Sequence, residues 1–133
     1  GIPLEQLIEV SHCGIGKINV DTDIRLAVTR NIREYFVGSP EARNDDRINA
    51  IWKLMESNPQ AFDPRFYLPP IMDTVMYGDI PNEAVGKITG LIEAGVKEVV
   101  GKLAVDFGQV GKAPKVELKT LDEMAEIYRK EGI

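Results

Sequence analysis

Polar and apolar side chains alternate along residues 17–21, the stretch of this chain best suited to presenting polar groups to a ligand. Asn19 and Asp21 fall on one side of this pattern, and Ile18 and Val20 fall on the other, as in a β-strand. In a barrel of strands surrounded by helices, polar groups at the carboxyl end of a strand face the site. The pattern therefore predicts a strand that directs Asn19 and Asp21 toward a ligand.

A helix start follows this strand directly, and the free backbone N–H groups there favour an anion such as phosphate. Thr22 adds a hydroxyl donor, and Arg25 carries a planar fork of N–H groups that suits phosphate oxygens. A carboxylate repels phosphate. We therefore expect Thr22 and the amides to hold the phosphate, while Asp21 accepts from sugar hydroxyls or positions a cation.

Two other interpretations fit the same residues. Asp21 and Asp23 are also suited to capping the helix, which would leave Arg25 as an ordinary surface residue. An Asp-x-Asp metal site is the third interpretation, although no further ligand types cluster nearby in the sequence. The run Gly14-Ile15-Gly16-Lys17 is not a P-loop, because it lacks the glycine spacing and the following Ser or Thr.

The elements that position these residues are predicted to be mostly helical. Helical spacing of apolar residues and end signals predict helices near residues 3–13, 22–38, 48–57, 71–77, 79–107 and 119–128. Thr22 or Asp23 is the expected cap of the second helix. The single strand needs partners for its backbone groups, so it must pair with strands that this chain does not supply.

Gly95 is one of several glycines inside the longest predicted helix. Each glycine costs about 1 kcal/mol relative to alanine in a helix interior. We expect close approach of another helix to offset this cost, with a break in the helix near Gly95 as the alternative.

The composition indicates a globular protein that does not bind nucleic acid or anionic membranes. The chain has 133 residues, of which 44% are hydrophobic and 28% charged, and its net charge is -5. These values suit one domain with a buried core, and an acidic balance lacks the basic surface that polyanions need. No apolar run is long enough to span a bilayer, and the first residues resemble the interior of a longer protein.

His12 and Cys13 stand side by side, but one histidine and one cysteine cannot fill a zinc site with three or four protein ligands. We expect the end of a helix there, with a buried thiol. A single cysteine also excludes an internal disulfide and suits a reducing compartment.

Three motifs in order resemble the C-terminal portion of class II, zinc-dependent fructose-1,6-bisphosphate aldolases. Residues 16–27, Gly-Lys-Ile-Asn-Val-Asp-Thr-Asp-Ile-Arg-Leu-Ala, are similar to the closing strand and helix of that family. Asn58-Pro59 and Phe62-Asp63-Pro64-Arg65, followed by Tyr67-Leu68, resemble a second motif. The tail is similar from Phe107-Gly108-Gln109-Val110-Gly111-Lys112-Ala113 to Leu121, Met124, Ala125 and Tyr128.

The resemblance implies an α/β fold, the C-terminal part of a TIM (β/α)8 barrel. Residues 1–38 would be its closing helix-strand-helix, and residues 39–133 a mostly helical extension with the subunit contact. It implies a cytoplasmic lyase of glycolysis and gluconeogenesis, a homodimer or higher homo-oligomer. That enzyme cleaves fructose 1,6-bisphosphate reversibly to dihydroxyacetone phosphate and glyceraldehyde 3-phosphate. A Zn²⁺ ion would stabilise the enediolate. The residues that hold this ion are expected upstream, so His12 is not assigned to the metal. No catalytic residue is assigned in this chain.

The resemblance also assigns roles to matching residues. Asn19 would hydrogen-bond the dihydroxyacetone-phosphate part of the substrate, and Asp21 and Thr22 would contact that end, with Thr22 at its phosphate. Arg25 would approach the second phosphate, on the glyceraldehyde-phosphate half.

Arg65 would reach into the neighbouring subunit's site as a phosphate ligand, while Asp63 would orient an arginine. The alternative for Arg65 is a salt bridge that staples its loop. Extra sequence at about 39–54 and 78–95 departs from the family pattern, in the region of the subunit contact.

Two other functions remain open at this point. The first is the related cleavage of tagatose 1,6-bisphosphate, which differs at one hydroxyl configuration. The second is a non-catalytic helical interaction module that reuses an aldolase-like segment. The residues preceding Gly1 would discriminate the module from the enzyme.

Overall fold

The computed structural model describes residues 2–132, and these form α-helices and short 3-10 helices without a β-strand. The α-helices are α1 (Leu4–Ser11), α2 (Thr22–Gly38), α3 (Asp46–Ser57), α4 (Pro64–Tyr67), α5 (Met72–Tyr77), α6 (Glu83–Asp106) and α7 (Leu121–Glu131). The 3-10 helices are Pro40–Asn44, Pro69–Ile71 and Ala113–Lys115. None of the described helices is long and apolar enough to cross a membrane.

The core lies where α2, α3 and α6 meet, and the segment around α4 closes it. Each helix contributes fully buried side chains to it, such as Phe36 from α2, Ile51 from α3 and Ile88 from α6. Tyr67 of α4 is also fully buried. The apolar spacing that predicted α3 therefore marks the face that packs inward.

The longest predicted helix is confirmed as α6, and the expected close helix approach is found at Gly95. Gly95 is buried against α2, where a Cβ atom would lie only 2.8 Å from the backbone nitrogen of Val28. The alternative of a break near Gly95 is wrong, because α6 runs continuously from Glu83 to Asp106. The missing side chain allows the two helix backbones to touch.

Two helix starts are joined by their capping residues. Asp45 caps α3, and Asn82 caps α6 by accepting from the backbone N–H of Val85 at 2.9 Å. The Asn82 amide also donates to the second oxygen of Asp45 at 2.9 Å. This bond fixes the start of α6 against the start of α3, across 37 residues of sequence.

The predicted strand at residues 17–21 is corrected to an extended segment without a ladder. Its side chains alternate as expected, since Ile18 and Val20 are partly buried while Asn19 and Asp21 are exposed. Among residues 2–132, no backbone hydrogen bond is donated by this segment. The reason is that no other extended segment within residues 2–132 pairs with it, so these residues alone do not show a barrel.

The buried thiol is also corrected. Helix α1 ends at Ser11, with His12 at its C-cap, as the glycines after it predicted. Cys13, however, is exposed. Its thiol turns back along α1 and donates to the carbonyl oxygen of Glu9 at 3.7 Å, at an exposed position.

Candidate functional site

The start of α2 places the carboxylate of Asp21 on an arginine one turn further along. Asp21 occupies the N-cap position, but its side chain makes no capping hydrogen bond. It accepts instead from Nε of Arg25 at 2.7 Å, and its other oxygen lies 2.6 Å from Nη2. The expected side-chain caps of α2 are therefore wrong. Among the described residues, no side chain accepts from the first backbone N–H groups of this helix.

Asp63 holds the same arginine from a distant part of the chain. Its Oδ2 accepts from Nη1 of Arg25 at 2.5 Å, across 38 residues of sequence. All three guanidinium nitrogens of Arg25 thus face a carboxylate, which leaves one N–H on each terminal nitrogen for another acceptor. Two carboxylates fix the orientation of Arg25.

Asp63 also orients Arg65, two residues later. It caps α4 by accepting from the backbone N–H of Arg65 at 3.0 Å, and it accepts from Nη2 of that residue at 2.6 Å. The Arg65 side-chain hydrogen bond is the main reason that the pKa of Asp63 is lowered to about 2. The same bond raises the pKa of Arg65. The loop-stapling salt bridge expected as an alternative is therefore present.

Asp21, Arg25, Asp63 and Arg65 form one group, which we call the Asp–Arg cluster. Its formal charges balance, and Asp63 remains ionised at neutral pH because its pKa is so low. The cluster is therefore suited to binding rather than to proton transfer. Arg65 is its most exposed member, with 74% of the side chain accessible. Among the described residues, no acceptor faces its Nη1.

Asn19 and Thr22 lie beside this cluster and are exposed. Asn19 is on the same side of the extended segment as Asp21, and Thr22 is the first residue of α2. The structure thus brings Asn19, Asp21, Thr22 and Arg25 to the start of α2. It brings Asp63 to that start as well.

A second layer of residues, which the sequence did not single out, supports the cluster. Thr29 and Arg33 follow Arg25 on α2 at successive i, i+4 positions, so the three share one face. The Thr29 hydroxyl lies 2.7 Å from the Phe62 carbonyl oxygen, and Arg33 donates to the carbonyl of Ala61 at 3.0 Å. The helical spacing of these polar residues was the available signal.

The donor set of this chain does not fit the zinc ion that the resemblance implies. His12 is the single histidine in the sequence, and it lies at the end of α1. Within residues 2–132, no three His, Cys, Asp or Glu side chains are grouped so that they could hold a metal. The Asp-x-Asp metal interpretation needs Asp21, which is bound to Arg25 instead.

Comparison with known proteins places this sequence in a family. The family model for class-II fructose-bisphosphate aldolase matches residues 1–112. The chain is 32% identical to the fructose-bisphosphate aldolase of Xanthobacter flavus over 128 residues, 96% of this chain and 25% of that protein. It is 24% identical to fructose-bisphosphate aldolase 2 of Cereibacter sphaeroides over 128 residues, again 96% of this chain and 25% of that protein.

A third relative is covered more fully. Fructose-bisphosphate aldolase 2 of Rhodobacter capsulatus is 26% identical over 128 residues, which are 96% of this chain and 77% of that sequence. No solved structure gives a match.

The chain spans about a quarter of the length of the first two relatives, given as 25% for each. The resemblance to the C-terminal portion of these enzymes is confirmed by the family match and by this coverage. The chain belongs to the class-II fructose-bisphosphate aldolase family.

Proposed function

We propose that this chain supplies the phosphate and sugar contacts of a lyase that reversibly cleaves fructose 1,6-bisphosphate. The products would be dihydroxyacetone phosphate and glyceraldehyde 3-phosphate. The observation that carries the proposal is the bridge from Asp63 to both Arg25 and Arg65, which gathers two arginines at the start of α2. Relatives named for fructose bisphosphate favour that sugar over tagatose bisphosphate. The zinc chemistry would rest on residues outside this chain, in a cytoplasmic homo-oligomer.

The start of α2 would receive the dihydroxyacetone-phosphate end of the substrate. Its N–H groups are not capped by Asp21, and the positive end of a helix dipole favours phosphate. Thr22 adds its hydroxyl at the same point. Asn19 and Asp21 would contact the sugar, with Asp21 accepting from hydroxyls as it does from Arg25.

Each arginine would bind a phosphate, Arg25 the second phosphate in its own subunit's site and Arg65 a phosphate in the neighbouring subunit's site. Arg25 keeps one N–H on each terminal nitrogen beyond its carboxylate contacts, so it can donate to phosphate without losing its anchors. Arg65 is exposed and keeps Nη1 for the same purpose. We assign Arg65 to the neighbouring subunit's site, where an outward-pointing side chain is required.

The test is the kinetics of Arg25→Ala in the full protein that carries this chain. We expect the Michaelis constant for fructose bisphosphate to rise about ten- to a hundredfold, since hydrogen bonds to charged groups contribute about 1.5–3 kcal/mol. Arg30→Ala is the matched control, because Arg30 lies on the same helix but pairs with Glu98 outside the cluster. Equal Michaelis constants for the two variants would remove Arg25 from the site.

Asn19→Ala tests the sugar contact. We expect the turnover number to fall, because a lost hydrogen bond misplaces the reacting end of the substrate. Wild-type turnover would refute this role.

Mixed oligomers test where Arg65 acts. Combining Arg65→Ala subunits with Asn19→Ala subunits creates one intact site only if Arg65 serves the neighbour. Recovered activity in the mixture is the expected result, and no recovery would place Arg65 in its own subunit's site.

A further inference from the structure

Thr29 is a buried polar residue that touches both ends of the loop carrying Asp63 and Arg65. It is one of two buried polar residues described in the chain, with 4% of its surface exposed. Its hydroxyl lies 2.7 Å from the carbonyl oxygen of Phe62 and 2.8 Å from the hydroxyl of Tyr67. The contacts therefore flank the Asp63–Arg65 pair on both sides.

The direction of these bonds follows from the chemistry of the groups. A carbonyl only accepts, so the single proton of the Thr29 hydroxyl is donated to Phe62. Tyr67 must then donate its own proton to the Thr29 oxygen. Burial is the main reason that the pKa of Tyr67 is raised to about 12, which keeps this donor protonated.

We propose that Thr29 is a positioning residue, whose hydroxyl, together with Tyr67, locks the loop of residues 61–68 against α2 and so fixes Asp63 and Arg65 beside Arg25. Arg25 and Arg33, one turn to either side of Thr29, also bond to this stretch, at Asp63 and at the Ala61 carbonyl. Those two contacts are partly exposed, whereas the Thr29–Tyr67 pair is shielded from water. A shielded hydrogen bond is costly to leave unmade.

The expected change in kinetics rests on the proposed function, whereas the expected opening of the loop does not. Thr29→Val keeps the shape of the side chain and removes the hydroxyl, and Thr29→Ser keeps the hydroxyl. Thr74→Val is the matched control, because Thr74 is 3% exposed and donates to the carbonyl of Asp79 at 3.0 Å, away from the cluster.

Hydrogen exchange in the full protein that carries this chain tests the structural part. The reporters are the amides of Phe66 and Leu68, which donate within the loop. In Thr29→Val, the exchange rate of these two amides should rise about tenfold over wild type, while the exchange rates of the α6 amides should stay unchanged. Thr29→Ser should restore slow exchange, and Thr74→Val should leave the loop unchanged.

Two results would overturn the proposal. One is unchanged loop exchange in Thr29→Val. The other is acceleration spread evenly over all helices, as expected for a general loss of stability. If Thr29→Val does not fold, Tyr67→Phe replaces it, because this variant removes only the other hydroxyl of the pair. The same exchange rates of the Phe66 and Leu68 amides then decide.

The kinetic arm separates this inference from the proposed function. A positioning role predicts a higher Michaelis constant for fructose bisphosphate in Thr29→Val, rescued in Thr29→Ser. If the loop amides open while Arg65→Ala leaves the kinetics unchanged, the positioning role stands and the proposed role of Arg65 fails. If the loop stays closed in Thr29→Val, the positioning role fails whatever Arg65→Ala does.

Discussion

Gly95 of α6 lies directly against the backbone of Val28 in α2, closer than any residue with a side chain could lie. A Cβ atom on Gly95 would stand 2.8 Å from the Val28 nitrogen and 2.9 Å from its Cα. Backbone atoms inside a helix cannot move aside as a flexible side chain can. This contact therefore sets how closely the two longest helices approach.

Gly95→Ala should lower the free energy of unfolding by about 2 kcal/mol, since overpacking of a core costs about 1–3 kcal/mol. Gly90→Ala and Gly101→Ala are controls on the same helix, because nothing lies within 4 Å of a Cβ there. In each control, the free energy of unfolding should rise by about 0.5–1 kcal/mol, because alanine favours a helix more than glycine does. Chemical denaturation of the three variants checks this, and a stabilised Gly95→Ala would contradict the close approach.

Asp63 should make the fold sensitive to acid in a defined range of pH. Its folded pKa of about 2 lies below the ordinary value of 3.8, so the unfolded chain takes up a proton first as the pH falls. The stabilisation by Asp63 is therefore fully present above the ordinary pKa and is lost as the pH falls through the folded one. The difference in stability between wild type and Asp63→Asn should shrink across this range. A constant difference in denaturation experiments would show that Asp63 is not held by the arginines.

Asp45 and Asn82 should be energetically coupled although they cap different helices. Serine at either position keeps an N-cap oxygen but removes the hydrogen bond between the two side chains. We expect a double-mutant cycle with Asp45→Ser and Asn82→Ser to give a coupling energy of about 0.5–1 kcal/mol. Additive effects of the two substitutions on unfolding would mean that the helix starts are independent.

A helix could be predicted from the sequence wherever the residues of that segment themselves carry the helical pattern, without reference to the rest of the chain. The apolar spacing of α3 and the glycines of α6 are local patterns, and both gave the correct element. Gly95 also indicated a close approach, because an unexplained glycine in a helix needs a packing reason. The identity of Val28 as its neighbour could not be predicted, since periodicity carries no information on which helices meet.

The sequence singled out the residues of the Asp–Arg cluster but not the contacts among them. Asp21 was expected to cap α2 or face the substrate, yet Arg25 lies one turn away and offers a charged partner that competes with the backbone N–H groups. Asp63 reaches Arg25 only after the chain has folded back over α2. Thr29 was missed because its i, i+4 spacing from Arg25 and Arg33 marks a shared helix face but does not show that this face meets the Phe62 carbonyl.

The extended residues 17–21 have a consequence for handling the chain. Within the described residues, the backbone groups of residues 17–20 make no hydrogen bond to another extended segment, so this stretch, with Ile18 and Val20 on one side, is an open edge that can pair with a strand from another copy. We therefore expect this stretch, rather than the helical surface, to nucleate aggregation when the chain is concentrated by itself.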